Sequence, residues 1–124
     1  MNRNRWSLDG HRALITGASA GIGLAICREL LGLGAQVLMV ARDAALLEQA
    51  RADLEDEFPG PEDAVIAFPA DVTDEEQRTE LLDWVADHGG LHILVNNAGG
   101  NITRPAMDYG EDQWRGIFET NLFS

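Results

Sequence analysis

Residues 16–23 read TGASAGIG, and three glycines in that stretch, Gly17, Gly21 and Gly23, decide how the rest of the chain is read. The stretch follows the apolar run RALIT (12–16). It leads into a segment whose apolar residues Ile22, Ile26, Leu30 and Leu33 recur at helical spacing before Gly34. The predicted order is therefore a strand, a tight turn and a helix over 21–33. Gly17 allows the turn, Gly21 leaves the backbone open to close approach, and Gly23 lets the helix pack near the strand. Gly34 supplies the residue that ends the helix.

The same alternation repeats outward. QVLMV (36–40) is a second strand, and a charged helix over 44–57 follows with Leu47, Ala50 and Leu54 inward. A turn at PGPED (59–63) leads to a third strand, AVIAF (64–68). Thr73 with Glu76 has the spacing of a capping box for a third helix, whose Leu81, Leu82 and Val85 face inward before Gly89 and Gly90 stop it. HILVN (92–96) is the fourth strand, a turn-rich loop (97–110) follows, and a last helix starts near residue 111. Nearly continuous apolar strands belong to parallel sheets covered on both faces. The fold class is thus α/β, a Rossmann-type doubly wound parallel sheet. Right-handed crossovers give strand order 3-2-1-4, with ligands expected at the carboxyl ends where the order reverses.

Composition narrows the function. The 124 residues carry 45% hydrophobic content, enough for one domain, spanning 1–124, and too little for two. With 21 acidic and nine basic residues the net charge is −12, which repels nucleic-acid backbones and anionic lipid, so neither nucleic acid nor membrane is expected as a partner. One cysteine, Cys27, cannot form an internal disulfide and is expected to be a small packing residue; no apolar run is long enough to span a bilayer. The cytosol is the expected compartment. His11, His88 and His92 lack metal-ligand spacing with Cys27, so no metal site is expected. All nine basic residues are arginine, which removes any P-loop lysine or Schiff base.

A glycine turn between strand and helix presents free N–H groups and a positive helix end to an anion, with Gly21 admitting a pyrophosphate and the Ser19 hydroxyl adding a contact. A dinucleotide cofactor fits that reading better than a turn that binds nothing. The spacing TGxxxGIG resembles that of the short-chain dehydrogenase/reductases, and further segments fall into the same order: PADVTD (69–74), LVNNAG (94–99) and FETNLFS (118–124). The wording around SLDGHRALITGASAGIG (7–23) is most similar to tropinone-reductase-like members.

That resemblance implies cofactor-binding roles for Gly17, Ser19, Gly21, Ile22 and Gly23. It implies an adenine contact at Asp71 with Val72 beside it, and a wall along the ribose at Asn96, Ala98 and Gly99. A strand-end turn is the competing role for Asp71, and Asn97 either ties strand four to its neighbours, since buried amides need partners, or contacts the cofactor directly. Beyond strand two the chain reads VARDAALL (40–47). Arg42 stands where NADP-preferring members carry arginine, and a guanidinium–phosphate contact is worth roughly 1.5–3 kcal/mol. NADP is the expected cofactor. Asp43 is read as a helix N-cap, although a register shift of one would make it a ribose-binding acid.

Family enzymes reduce a carbonyl by hydride transfer, with a Tyr-x-x-x-Lys pair, a Ser and a helix-four Asn. Asn121 matches that Asn, at helical spacing from Trp114, Ile117 and Phe118; a structural amide is the competing role. Tyr109 is followed four residues later by Gln113, and Ser7, Ser19 and Ser124 all lie outside the family's Ser position. The resemblance therefore implies the cofactor-binding portion of an NADP-dependent enzyme acting on a small-molecule carbonyl or alcohol. By the same resemblance the 124 residues are expected to reach only into helix four, short of the family's later strands. Without the catalytic Ser, Tyr and Lys the 124-residue chain is expected to show no turnover, and with strand four unpaired on one side it is expected to be a homo-oligomer. A stand-alone, noncatalytic dinucleotide-binding or interaction module is the alternative.

Overall fold

The computed structural model describes residues 7–61 and 63–97. Four strands, β1 (Arg12–Thr16), β2 (Gln36–Ala41), β3 (Val65–Pro69) and β4 (Ile93–Val95), alternate with three helices, α1 (Gly21–Gly32), α2 (Ala44–Glu57) and α3 (Glu75–Asp87). All pairings are parallel and the sheet order is β3-β2-β1-β4, so the anticipated reversal beside β1 is present. Register runs from Arg12 opposite Gln36 to Thr16 opposite Val40, and Ala13 lies opposite Ile93. Pro69, which has no N–H, ends the outer strand β3, where a missing donor is tolerated.

Alternation along the strands sorts the core into two layers. Ala13, Ile15, Val37, Met39, Val65, Ile93 and Val95 pack with Cys27 and Leu31 of α1 and with Leu47, Ala50 and Leu54 of α2. Leu14, Leu38, Val40 and Leu94 point the other way, onto Leu81, Leu82 and Val85 of α3. The inward residues anticipated for α2 and α3 are the ones buried, and α3 adds Arg78, only 3% exposed, which hydropathy alone places at the surface.

Two expectations need correction. The inward row of α1 is Gly23, Cys27 and Leu31, with Leu24, Ile26 and Leu30 half-buried, while Ile22 and Leu33 are 60% and 38% exposed. The helix is rotated because Gly23 must face the preceding turn, which drives Ile22 outward. The start of α3 is also one residue later than a Thr73–Glu76 box requires. Asp74 is the N-cap, its Oδ1 accepting from the N–H groups of Glu76 (2.9 Å) and Gln77 (3.2 Å), while the Thr73 hydroxyl donates instead to Asp71. At the other termini the reading holds: Gly34 (φ 96°) follows α1, Gly89 (φ 98°) follows α3, and Asp43 caps α2 by accepting from Leu46 N–H at 3.0 Å. The helix foreseen from residue 111, with Trp114, Ile117 and Phe118, lies outside the described residues.

The amino-terminal edge of the sheet is closed by aromatic and polar contacts. Arg12 N–H donates to His92 Nδ1 at 3.0 Å, its Nε donates to Gln36 Oε1, and its guanidinium also donates to the His88 carbonyl and lies over Trp84. His88 Nδ1 donates to the Trp84 carbonyl and His11 Nδ1 to that of Asp9, so all three histidines are engaged in holding this edge. No helix among the described residues is long and apolar enough to cross a membrane.

Two outcomes follow. Asp74→Ala should cost about 1 kcal/mol in urea unfolding, within the 0.5–2 kcal/mol range for a lost cap, whereas Thr73→Ala should cost less; the reverse ranking would restore the Thr73 cap. Burial pushes the Cys27 thiol up to about 12, so an aromatic disulfide reagent at pH 8 should label it only after denaturant is added. Rapid labelling of the native chain would contradict the packing of α1.

Candidate functional site

The carboxyl ends of β1, β2 and β3 open onto one cavity of about 510 Å³, lined by Thr16, Gly17, Ser19, Val40 to Asp43, Ala70 to Thr73 and Asn97. Each wall is the turn after a strand, and each is tied down by different chemistry.

The first wall is the glycine turn. Gly17 (φ 61°) and Gly21 (φ 58°) both adopt the left-handed conformation that side chains resist. A Cβ on Gly17 would meet the Asn97 backbone at 3.4 Å; one on Gly21 would meet nothing within 4 Å, so that residue faces open space. A Cβ on Gly23 would overlap the Gly17 carbonyl and come within 2.8 Å of Asn97 Nδ2, so α1 sits against the turn as only glycine permits. Ala18 N–H donates to the Val40 carbonyl at 3.2 Å, carrying the β1–β2 ladder into the turn. Ala20, the N-cap of α1, offers no side-chain cap, and the first turn holds no acidic residue. Neither the cap position nor the first turn therefore supplies a negative side chain to the positive end of this helix, which suits an anion.

Behind the turn, Thr16 joins β1 to β4. Its buried hydroxyl donates to Asn96 Oδ1 at 3.0 Å and accepts from Asn97 N–H at 2.8 Å. Asn97 Nδ2 makes a long contact of 3.5 Å to the Gly17 carbonyl, the tie between strand four and its neighbours anticipated for this residue. Thr16 escaped the sequence reading, although a hydroxyl at a strand end directly before the glycine turn was a usable signal.

The second wall follows β2, which runs one residue further than its apolar pattern indicated, to Ala41. Arg42 is then the first residue after the strand, exposed on the cavity rim, and Asp43 beside it is committed to capping α2. The third wall is 70–73. Ala70 N–H donates to the Ala41 carbonyl at 2.9 Å, and Asp71 Oδ1 accepts from both Thr73 N–H (3.0 Å) and Thr73 Oγ1 (2.6 Å). These two bonds hold the Asp71 carboxyl below the usual carboxylate range, with a smaller pull from the Arg42 charge. The site accordingly presents an ionised Asp71 and a cationic Arg42 to one space.

Of the residues anticipated for cofactor binding, Gly17, Ser19, Arg42, Asp71 and Val72 line the cavity. Gly21, Ile22 and Gly23 lie at the start of α1 next to it without lining it, and Asn96 is 6% exposed beneath it, bonded to Thr16. Ala98, Gly99 and Asn121 fall outside the described residues.

The glycine geometry separates two substitutions. Gly23→Ala should destabilise by about 1–3 kcal/mol or more through overpacking against a backbone carbonyl. Gly21→Ala should cost about 1–2 kcal/mol for its left-handed backbone alone, since its Cβ has room. Urea midpoints in which Gly23→Ala matches the parent would show that α1 is not seated on the turn.

The sequence model described as short chain dehydrogenase matches residues 11–124. A chloroplastic tropinone reductase homolog of Arabidopsis thaliana is 39% identical over 125 residues, covering 99% of this chain and 38% of that protein. Among solved structures, L-sorbose reductase from Gluconobacter frateurii, complexed with NADPH and L-sorbose, aligns with a TM-score of 0.69 at 32% identity, over 96% of this chain and 43% of that one. A 3-ketoacyl-(acyl-carrier-protein) reductase from Brucella melitensis complexed with NADH aligns with a TM-score of 0.61 at 32% identity, over 72% and 34%. The chain thus spans well under half the length of these three proteins. A parallel sheet ordered β3-β2-β1-β4, a glycine turn seated on α1 and a family match over nearly the whole sequence agree: the chain belongs to the short-chain dehydrogenase/reductase family.

Proposed function

We propose that this chain is the cofactor-binding portion of an NADP-dependent oxidoreductase that interconverts small-molecule carbonyls and alcohols, and that the complete enzyme is a homo-oligomer. The observation that carries the cofactor assignment is Arg42, which stands on the cavity rim directly after β2 while its neighbour Asp43 is occupied in capping α2. An acid free to accept from a ribose 2′-OH would favour NAD; a guanidinium there favours a 2′-phosphate. The donor set also fits a dinucleotide: a left-handed Gly21 with open space above it, an α1 amino terminus without a side-chain cap, and an ionised Asp71 across from Arg42.

In this reading the amino terminus of α1 and the backbone of 17–21, with the Ser19 hydroxyl, hold the pyrophosphate. Asp71 and Val72 border the adenine, and Arg42 pairs with the 2′-phosphate. By the family resemblance Asn96, Ala98 and Gly99 are assigned to ribose binding and Asn121 to the proton relay of the complete enzyme, the last three lying outside the described residues. The bound nicotinamide would supply the hydride. What the residues around the cavity contribute is binding and orientation, because the chain has no Lys and its single Tyr is not followed by one four residues on. A buried, unpaired thiol at Cys27 suits a reducing compartment such as the cytosol.

Fluorescence titration of the 124-residue chain should show NADPH binding about tenfold to a hundredfold tighter than NADH, matching a charge-assisted contact of roughly 1.5–3 kcal/mol. Arg42→Asp should reverse the order. Equal affinities in the parent, unchanged by the substitution, would overturn the NADP assignment.

A further inference from the structure

We infer that Arg78, helped by Gln77, is a positioning residue that sets the third wall of the cavity from beneath; the ligand it serves rests on the cofactor reading above. Arg78 lies on the buried face of α3, and its Nη1 donates to the Val72 carbonyl at 2.8 Å. Gln77, next along the helix, accepts from Asp71 N–H through Oε1 at 2.8 Å, and its own amide is steadied by donating to Asp74 Oδ2 at 3.3 Å. Two successive residues of the wall, Asp71 and Val72, are thus gripped by two successive side chains of α3.

Besides these, Ala70 N–H ties the start of the wall to the Ala41 carbonyl of β2, and the remaining bonds are local: Asp74 N–H to the Asp71 carbonyl, and Thr73 to Asp71 Oδ1. The sheet thus holds the wall at Ala70, the local bonds give the turn its shape, and the Asp71 N–H and Val72 carbonyl are held from the helix. Arg78 shares the buried face of α3 with Leu81, Leu82 and Val85, and burying a guanidinium there carries a desolvation cost that an aliphatic residue would avoid. Its bond to Val72 fixes the orientation of a residue that lines the cavity, and it does so without entering the cavity itself. Arg78 therefore acts on the ligand through Val72 and Asp71, as a support behind binding residues does.

The test uses the 124-residue chain and three variants: Arg78→Met, which keeps the stem and loses the donor; Arg78→Lys, which keeps a donor; and Gln77→Ala, which removes the milder grip should Arg78→Met fail to fold. Hydrogen exchange should quicken about tenfold at the Asp71, Thr73 and Asp74 amides in Arg78→Met or Gln77→Ala, with the Leu14 and Leu38 amides unchanged and Arg78→Lys closer to the parent. Adenosine 2′,5′-bisphosphate should bind these variants about tenfold more weakly, while nicotinamide mononucleotide should show no change. Loop exchange equal to the parent in both variants overturns the proposal, as does faster exchange with undiminished bisphosphate affinity. A parent that binds no bisphosphate while loop exchange responds removes the cofactor reading and upholds Arg78 as the residue that sets the wall.

Discussion

The Gly17 carbonyl and Gly23 meet across a gap that no side chain could enter, and much of the architecture depends on that contact. It fixes the rotation of α1 about its axis, which in turn selects Cys27 and Leu31 as the residues that reach the sheet. It also holds the amino terminus of α1 at the carboxyl end of β1. Ala18 extends the ladder to β2 on one side, and Thr16 with Asn97 extends it to β4 on the other. The turn is therefore anchored to both neighbouring strands, and Gly17 and Gly21 within it take a left-handed conformation that glycine adopts at little cost.

The cavity is assembled from turns that share a position in the fold and little else. The first is shaped by backbone sterics, the second by a capping carboxylate that leaves the adjacent guanidinium at the rim, and the third by a side-chain network rooted in a helix. Only a parallel sheet brings three such turns to one end, because each strand must start again from the opposite edge. The acidic balance of the chain, −12 overall, makes Arg42 the more influential, since the other charged groups of the lining among the described residues, Asp43 and Asp71, are carboxylates.

Much of this was legible in the sequence because it is written in period and punctuation. Four apolar runs separated by amphipathic segments gave the sheet, and glycines at 34, 89 and 90 marked helix ends that the structure reproduces. What escaped was set by contacts at a distance. The face of α1 could not be read from its apolar residues, because the residue that dictates it is a glycine touching a carbonyl six positions earlier. Thr73 looked like a cap until Asp71 claimed its hydroxyl, and Arg78, which no sequence pattern singled out, is buried with the Val72 carbonyl as its acceptor. In each case composition was silent about which polar group would find which partner, a matter of three-dimensional proximity.

The strict alternation of the strands has a further consequence. Ala13 and Leu14, or Val37 and Leu38, are bonded neighbours whose side chains belong to different cores on opposite sides of a sheet one backbone thick. The sheet acts as a partition, so a volume change on one side is absorbed mainly by the helices on that side. Repacking beneath α1 and α2 and repacking beneath α3 are then close to independent problems, their free energies adding where no partner is shared. Such a chain can exchange the residues of one layer wholesale while the other keeps its fit, which leaves room for sequences to diverge widely around an unchanged set of strand ends.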